Sequence, residues 1–124
     1  MLLDSNLIIA AFQPGGEPLR RWIAAHKPAV SAATIFEVLR YPKLTKNERA
    51  DLEALFATLE VLPTDAAVIR KAFEIGQSKR LSPGDALIAA TALLHDRVLL
   101  TKNLKDFQNI PGLTTRDLSP EELE

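Results

Sequence analysis

Short apolar or β-branched runs recur along the chain at Met1 to Leu3, Ala29 to Ser31, Leu59 to Leu62, Val98 to Thr101 and Leu113 to Thr115. Runs this short, without polar alternation, predict strands buried on both faces of a largely parallel sheet. The intervals between them carry helical periodicity instead. Leu52, Leu55, Phe56 and Leu59 fall at i, i+3, i+4 and i+7, and Val68, Ile69, Ala72, Phe73 and Gly76 lay down a second stripe. From Ala86 to Leu94 only Thr91 is polar, which predicts a helix buried nearly all round. Pro14-Gly15-Gly16 separates an early helix from one over about Glu17 to His26, and Pro42 ends the helix that holds Glu37. Alternation of strand and helix implies right-handed crossovers with helices on both faces. The expected fold is α/β, a three-layer α/β/α sandwich around a mainly parallel sheet of about five short strands.

The length, 124 residues, suits one compact domain, expected over 1–118, and leaves 119–124 as a frayed, solvated acidic tail. Hydrophobic residues make up 47% and charged residues 25%, ordinary globular proportions, and no apolar run is long enough to span a bilayer. No basic leader or cleavable apolar segment precedes Asp4, so no secretion signal is expected. The absence of Cys excludes disulfides and thiolate metal sites and agrees with a cytoplasmic protein. A net charge of -1 argues against holding nucleic acid by a broad positive field. Local patches remain at Arg20-Arg21, Arg40 to Lys46, Lys79-Arg80 and Lys102 to Lys105, each readable as a phosphate contact or as a solvated face.

Carboxylates sit where the pattern changes from strand to helix. Asp4 closes the first apolar run, and Glu37, Asp85 and Asp106 fall in Thr34-x-x-Glu37, Ser82-x-x-Asp85 and Asn103-x-x-Asp106. Each of the last three matches a capping box, with Pro83 at the favoured first helical position. Asp4 and Asp85 gain a second reading from their neighbours. One follows a strand expected to be central and the other opens a buried helix, with no Arg or Lys beside Asp4 to compensate a buried charge. A hard divalent cation shared among acids at the C-terminal ends of parallel strands would offset that cost, and Mg²⁺ or Mn²⁺ so held supports phosphoryl hydrolysis.

Met1-Leu-Leu-Asp4-Ser-Asn6, Thr34-Ile-Phe-Glu37-Val-Leu-Arg-Tyr41, Asp85-Ala-Leu-Ile-Ala-Ala-Thr-Ala92 and Leu100-Thr-Lys-Asn103-Leu-Lys-Asp106-Phe107 together resemble the successive motifs of PIN-domain ribonucleases, most closely the VapC toxins of bacterial toxin–antitoxin pairs. The match runs from about Met1 to Arg116 in the family's order and spacing. It implies metal-dependent endonucleolytic cleavage of RNA, leaving a 5′-phosphate and a 3′-hydroxyl. Asp4, Glu37 and Asp85 would be the metal-binding acids, with Mg²⁺ or Mn²⁺ as cofactor. Ser5 stands where the family usually has Thr. The fourth position is open between Asn103, as a neutral ligand or water-orienting group, and Asp106, with Thr101 a hydrogen-bonding neighbour. The resemblance also implies a cognate antitoxin that covers the acidic pocket or inserts a basic side chain into it, and a homodimer.

Other residues read more plainly. His26 and His95 lack a second His at ligand spacing, and His95 suits the end of a helix. Trp22 shares a helical face with Leu19 and Ile23, which points to the core or a partner surface. Arg40 and Tyr41, just beyond Glu37, are readable as RNA contacts, Tyr41 equally as the end of a helix before Pro42, and Lys102 and Lys105, which flank the fourth motif, as phosphate contacts or as solvated charges. Two competing functions remain on this evidence. One keeps the fold as a non-catalytic RNA-binding or regulatory module, in keeping with Asn103. The other is a receiver-like binding domain, which would want a pair of early acids where this chain has only Asp4.

Overall fold

The computed structural model describes residues 1–124. Five two-residue strands, β1 (Leu2–Leu3), β2 (Val30–Ser31), β3 (Val61–Leu62), β4 (Leu99–Leu100) and β5 (Thr115–Arg116), lie within or beside the five apolar runs. Seven helices alternate with them: α1 (Ser5–Ala11), α2 (Glu17–His26), α3 (Ala32–Leu39), α4 (Lys46–Thr58), α5 (Ala66–Ser78), α6 (Pro83–Leu94) and α7 (Leu104–Phe107). All pairings are parallel, in the orders β1-β4-β5 and β2-β3. A single bridge from Leu2 to Ala29 joins the two pieces, giving the overall order β3-β2-β1-β4-β5. The chain therefore winds one way from β1 to β3 and the other way through β4 and β5. The reversal falls between β1 and β4, the position at which open α/β sheets form their crevice.

Successive strand residues point to opposite faces, and here they feed two separate cores. Leu2, Ala29, Leu62 and Leu99 pack with Val68, Ala72 and Ile75 of α5 and Ile88, Ala89 and Ala92 of α6. Leu3, Val30 and Leu100 pack on the other side with α1, α2, α4 and Val38 of α3. The expected sandwich is thus present, with α5 and α6 covering one face. Six residues of α6 are buried, including Thr91, whose hydroxyl donates to the Leu87 carbonyl at 2.7 Å.

Local chemistry sets the boundaries. Gly15 takes φ +85, and a Cβ on Gly16 would strike the Ala10 and Ala11 carbonyls, so these two glycines permit the tight turn between α1 and α2. Helix α3 ends at Leu39 with Arg40 as its C-cap, before Pro42. Thr45 and Glu48 form a reciprocal capping box at the start of α4, at 3.1 and 3.0 Å. Trp22 is buried in the second core and stacks on His26 with ring centroids 4.3 Å apart.

The tail departs from expectation. Residues Glu121–Leu123 form a 3-10 turn, Glu122 pairs with Arg116 at 2.8 Å, and Leu123 packs against the core. A charge-assisted bond plus an apolar contact holds a segment that composition alone marks as solvated.

Candidate metal centre

The sequence after β1 sends the chain directly from the sheet into α1, leaving Asp4 at the helix N-cap with extended φ/ψ and a side chain that is 0% exposed. Its backbone N–H donates to the Leu100 carbonyl at 2.9 Å, tying it to β4. The carboxylate accepts from Thr101 Oγ1 at 2.7 Å through Oδ2 and from Ser5 Oγ at 3.4 Å through Oδ1. Thr101 Oγ1 in turn accepts from the Asn103 N–H at 2.9 Å, so the strand end after β4 and the start of α7 are fixed to the same group. Burial pushes the Asp4 carboxyl above the ordinary carboxylate value, against the opposing pull of the Thr101 hydroxyl.

Asp85 occupies the third position of α6. Ser82 caps the helix by accepting the Asp85 N–H at 3.1 Å, with Pro83 at the first turn, so the hydroxyl half of the expected capping box forms while Asp85 makes no return bond to the Ser82 N–H. Burial raises the Asp85 carboxyl, and the charges of Asp4 and Asp106 raise it further while Ser82 partly offsets them. Glu37, on the open face of α3, is raised by burial first and then by Asp85 and Asp4. A Cβ on Gly84 would collide with the Glu37 carboxylate, so α6 receives that side chain only because residue 84 has none. Four acids from α1, α3, α6 and α7 thus share one field.

The four ion pairs of the molecule, Arg20–Glu17, Lys71–Glu74, Arg97–Glu60 and Arg116–Glu122, leave Asp4, Glu37, Asp85 and Asp106 without a basic partner. As placed, no three acids form a ready cage for one ion. Mg²⁺ is commonly held by one or two carboxylates with the rest of its shell water. The donor set is wholly oxygen, with no thiolate and no imidazole among these residues. That chemistry fits a hard divalent cation.

Two of the sequence expectations are corrected. Thr34 does not cap a helix, because α3 begins at Ala32 and Ser31 is its cap, accepting from the Ala33 N–H at 3.1 Å. Thr34 is instead wholly buried one turn before Glu37, with its hydroxyl unpartnered. Asn103 stands at the N-cap of α7 but makes no side-chain capping bond. Asp106 is exposed and lines a surface depression together with Asp85. Neither His26, bonded to the Trp22 carbonyl at 3.0 Å, nor His95, the C-cap of α6, enters the site.

The model of the PIN domain family matches residues 1–113, and the chain belongs to that family. Among its relatives, Ribonuclease VapC1 of Rickettsia felis is 29% identical over 132 residues, covering 96% of each chain. The tRNA(fMet)-specific endonuclease VapC of Shigella flexneri is 25% identical over 128 residues, covering 95% of this chain and 97% of that one. A chain in a toxin–antitoxin complex from Klebsiella pneumoniae superposes with a TM-score of 0.76 at 28% identity, covering 94% of this chain and 98% of that one.

Proposed function

We propose that this protein is a divalent-metal-dependent endoribonuclease and the toxin of a toxin–antitoxin pair. The observation that carries the reading is the group of four uncompensated acids at the switch point of a PIN domain. Its relatives named as ribonucleases, and its structural neighbour in a toxin–antitoxin complex, support the same reading. Asp4, Glu37 and Asp85 would hold Mg²⁺ or Mn²⁺, and Asp106 or Asn103 would complete the set. The bound ion would polarise a phosphoryl oxygen and acidify a water.

The remaining work falls to the chain's own groups. Thr101 fixes the orientation of Asp4 by donating to Oδ2. Ser82 fixes the first turn of α6 and hence the direction of Asp85. Gly84 leaves room for Glu37 to approach that turn. Asp106, exposed at the rim, has the access to solvent that a group orienting a water through its carboxylate needs. A cognate antitoxin would silence the protein by covering the acids or inserting a basic side chain among them, and the active species would be a homodimer. No helix is long and apolar enough to cross a membrane, in keeping with a cytoplasmic site of action.

The test is cleavage of a panel of structured and unstructured RNAs, transfer RNAs included, by antitoxin-free protein with Mg²⁺, Mn²⁺ or EDTA. An Asp4→Asn, Asp85→Asn double variant of matched circular dichroism is the control. Metal-dependent cleavage absent from the variant is the expected result. Intact RNA throughout would overturn the enzyme and leave a non-catalytic RNA-binding module, which the open spacing of the acids would then favour.

A further inference from the structure

Two basic runs far apart in sequence meet at the mouth of the acidic site. Lys79 and Arg80, in the connection from α5 to α6, and Lys105, on α7, line one depression of about 440 Å³ together with Asp85 and Asp106. Its volume lies within the range of about 300–1,000 Å³ typical of small-molecule sites. Only one of its eight lining residues is hydrophobic.

None of the three cations takes part in an ion pair, although two carboxylates share their depression. Acids and bases here stand side by side without neutralising one another. That is the arrangement required if the acids are committed to a cation and the bases to an anion.

We propose that Lys79, Arg80 and Lys105 form a phosphate subsite that holds the RNA backbone next to the bond being cleaved. The proposal rests on the ribonuclease reading above. A net charge of -1 gives the protein no general attraction for RNA, and the acids themselves repel phosphate. Local cations at the rim therefore have to supply the attraction. Arg80 offers a planar fork for two phosphate oxygens, and the lysines add point charges. The polar lining of the depression suits a charged, hydrated backbone.

Anisotropy of a short fluorescent single-stranded RNA, titrated with metal-free protein in EDTA at several salt concentrations, tests this without requiring turnover. The comparison is among wild type, Arg80→Ala with Lys105→Ala, the conservative pair Arg80→Lys with Lys105→Arg, and Arg49→Ala with Arg70→Ala as a control that loses two exposed charges outside the depression. Expected is a Kd about tenfold weaker for the alanine pair, with the slope of log affinity against log salt shallower by about 1.4 for two lost single-strand contacts. The conservative pair should recover most of both, and the control pair should leave them unchanged. Equal Kd and slope in wild type and the alanine pair, while wild type binds and cleaves RNA, overturns the subsite alone. Equal weakening by the control pair also overturns it, since a diffuse field would then suffice. A wild-type protein that neither binds nor cleaves RNA overturns the subsite and the ribonuclease reading together.

Discussion

Thr101 and Asp4, 97 residues apart in sequence, meet through a 2.7 Å hydrogen bond in which the threonine hydroxyl donates to a carboxylate with no exposed surface. The bond spans the reversal between β1 and β4, so the same contact that joins the two halves of the sheet also aims the central acid. Its loss should register in stability and chemistry alike.

Thr101→Val keeps the shape and removes the donor. A buried group left without its partner costs about 1–3 kcal/mol, so urea unfolding of the metal-free variant at neutral pH should show a loss of that order. RNA cleavage should fall as well, on the order of tenfold or more, because the orientation of a metal-holding carboxylate depends on such supporting bonds. An unfolding midpoint equal to wild type would show the bond to be incidental.

Gly84→Ala should separate stability from activity. Alanine is preferred to glycine within a helix by about 0.5–1 kcal/mol, but its Cβ enters the space of the Glu37 carboxylate. In the Glu37→Ala background the substitution should therefore raise the melting temperature. In the wild-type background it should weaken the rise in melting temperature on adding Mn²⁺ and reduce cleavage. A double-mutant cycle with calorimetry reads the coupling directly, and additive effects would contradict the contact.

Asp4, Glu37 and Asp85 all carry carboxyls raised above their ordinary values of 3.8, 4.5 and 3.8. Between the ordinary and the raised value the folded chain binds more protons than the unfolded one, so this contribution to stability declines as pH rises through that window. Glu122 has the opposite sign, lowered to about 2 chiefly by its bond from Arg116, and its contribution is lost as pH falls from 4.5 toward that value. Glu122 lies at the surface, so solvent screening keeps its weight small. In EDTA, urea unfolding should show stability falling as pH rises from the ordinary carboxylate values through the raised ones. Adding Mg²⁺ or Mn²⁺ at the higher pH should recover it, by about 2.7 kcal/mol at one hundred times Kd. Stability that rises across this interval without metal would contradict the assignment of uncompensated acids.

The strands β1, β2 and β4 were legible because both residues of each are buried, and the longer helices because their buried residues recur at helical spacing, Leu52 with Phe56 and Val68 with Ala72 and Ile75. Leu2-Leu3 and Leu99-Leu100 read as two-sided strands since both faces of the sheet are covered. Asp4 and Asp85 stood out for the same reason, each being a charge set against an apolar run. The capping pattern was less informative. At Thr34 an identical spacing lies inside a helix whose start is set by Ser31, because two hydroxyls three residues apart compete for one cap and the strand end decides between them. The docked tail was hidden by its composition, since the partner of Glu122 is Arg116, at the end of β5. The convergence of Lys79 and Arg80 with Lys105 depends on how α6 turns back against α5, and no local pattern encodes that.

Each strand contributes only two residues, and in β1 and β4 these divide between opposite cores. In β1, Leu2 belongs to one and Leu3 to the other, and the next residue is Asp4. A slip of β1 by one residue against β4 would exchange the two faces and draw the carboxylate back into the apolar interior. The reading frame of the sheet and the position of the acid are therefore a single constraint. Length variation among relatives should be absent here and gather instead in the turn around Gly15 and the connection before β5.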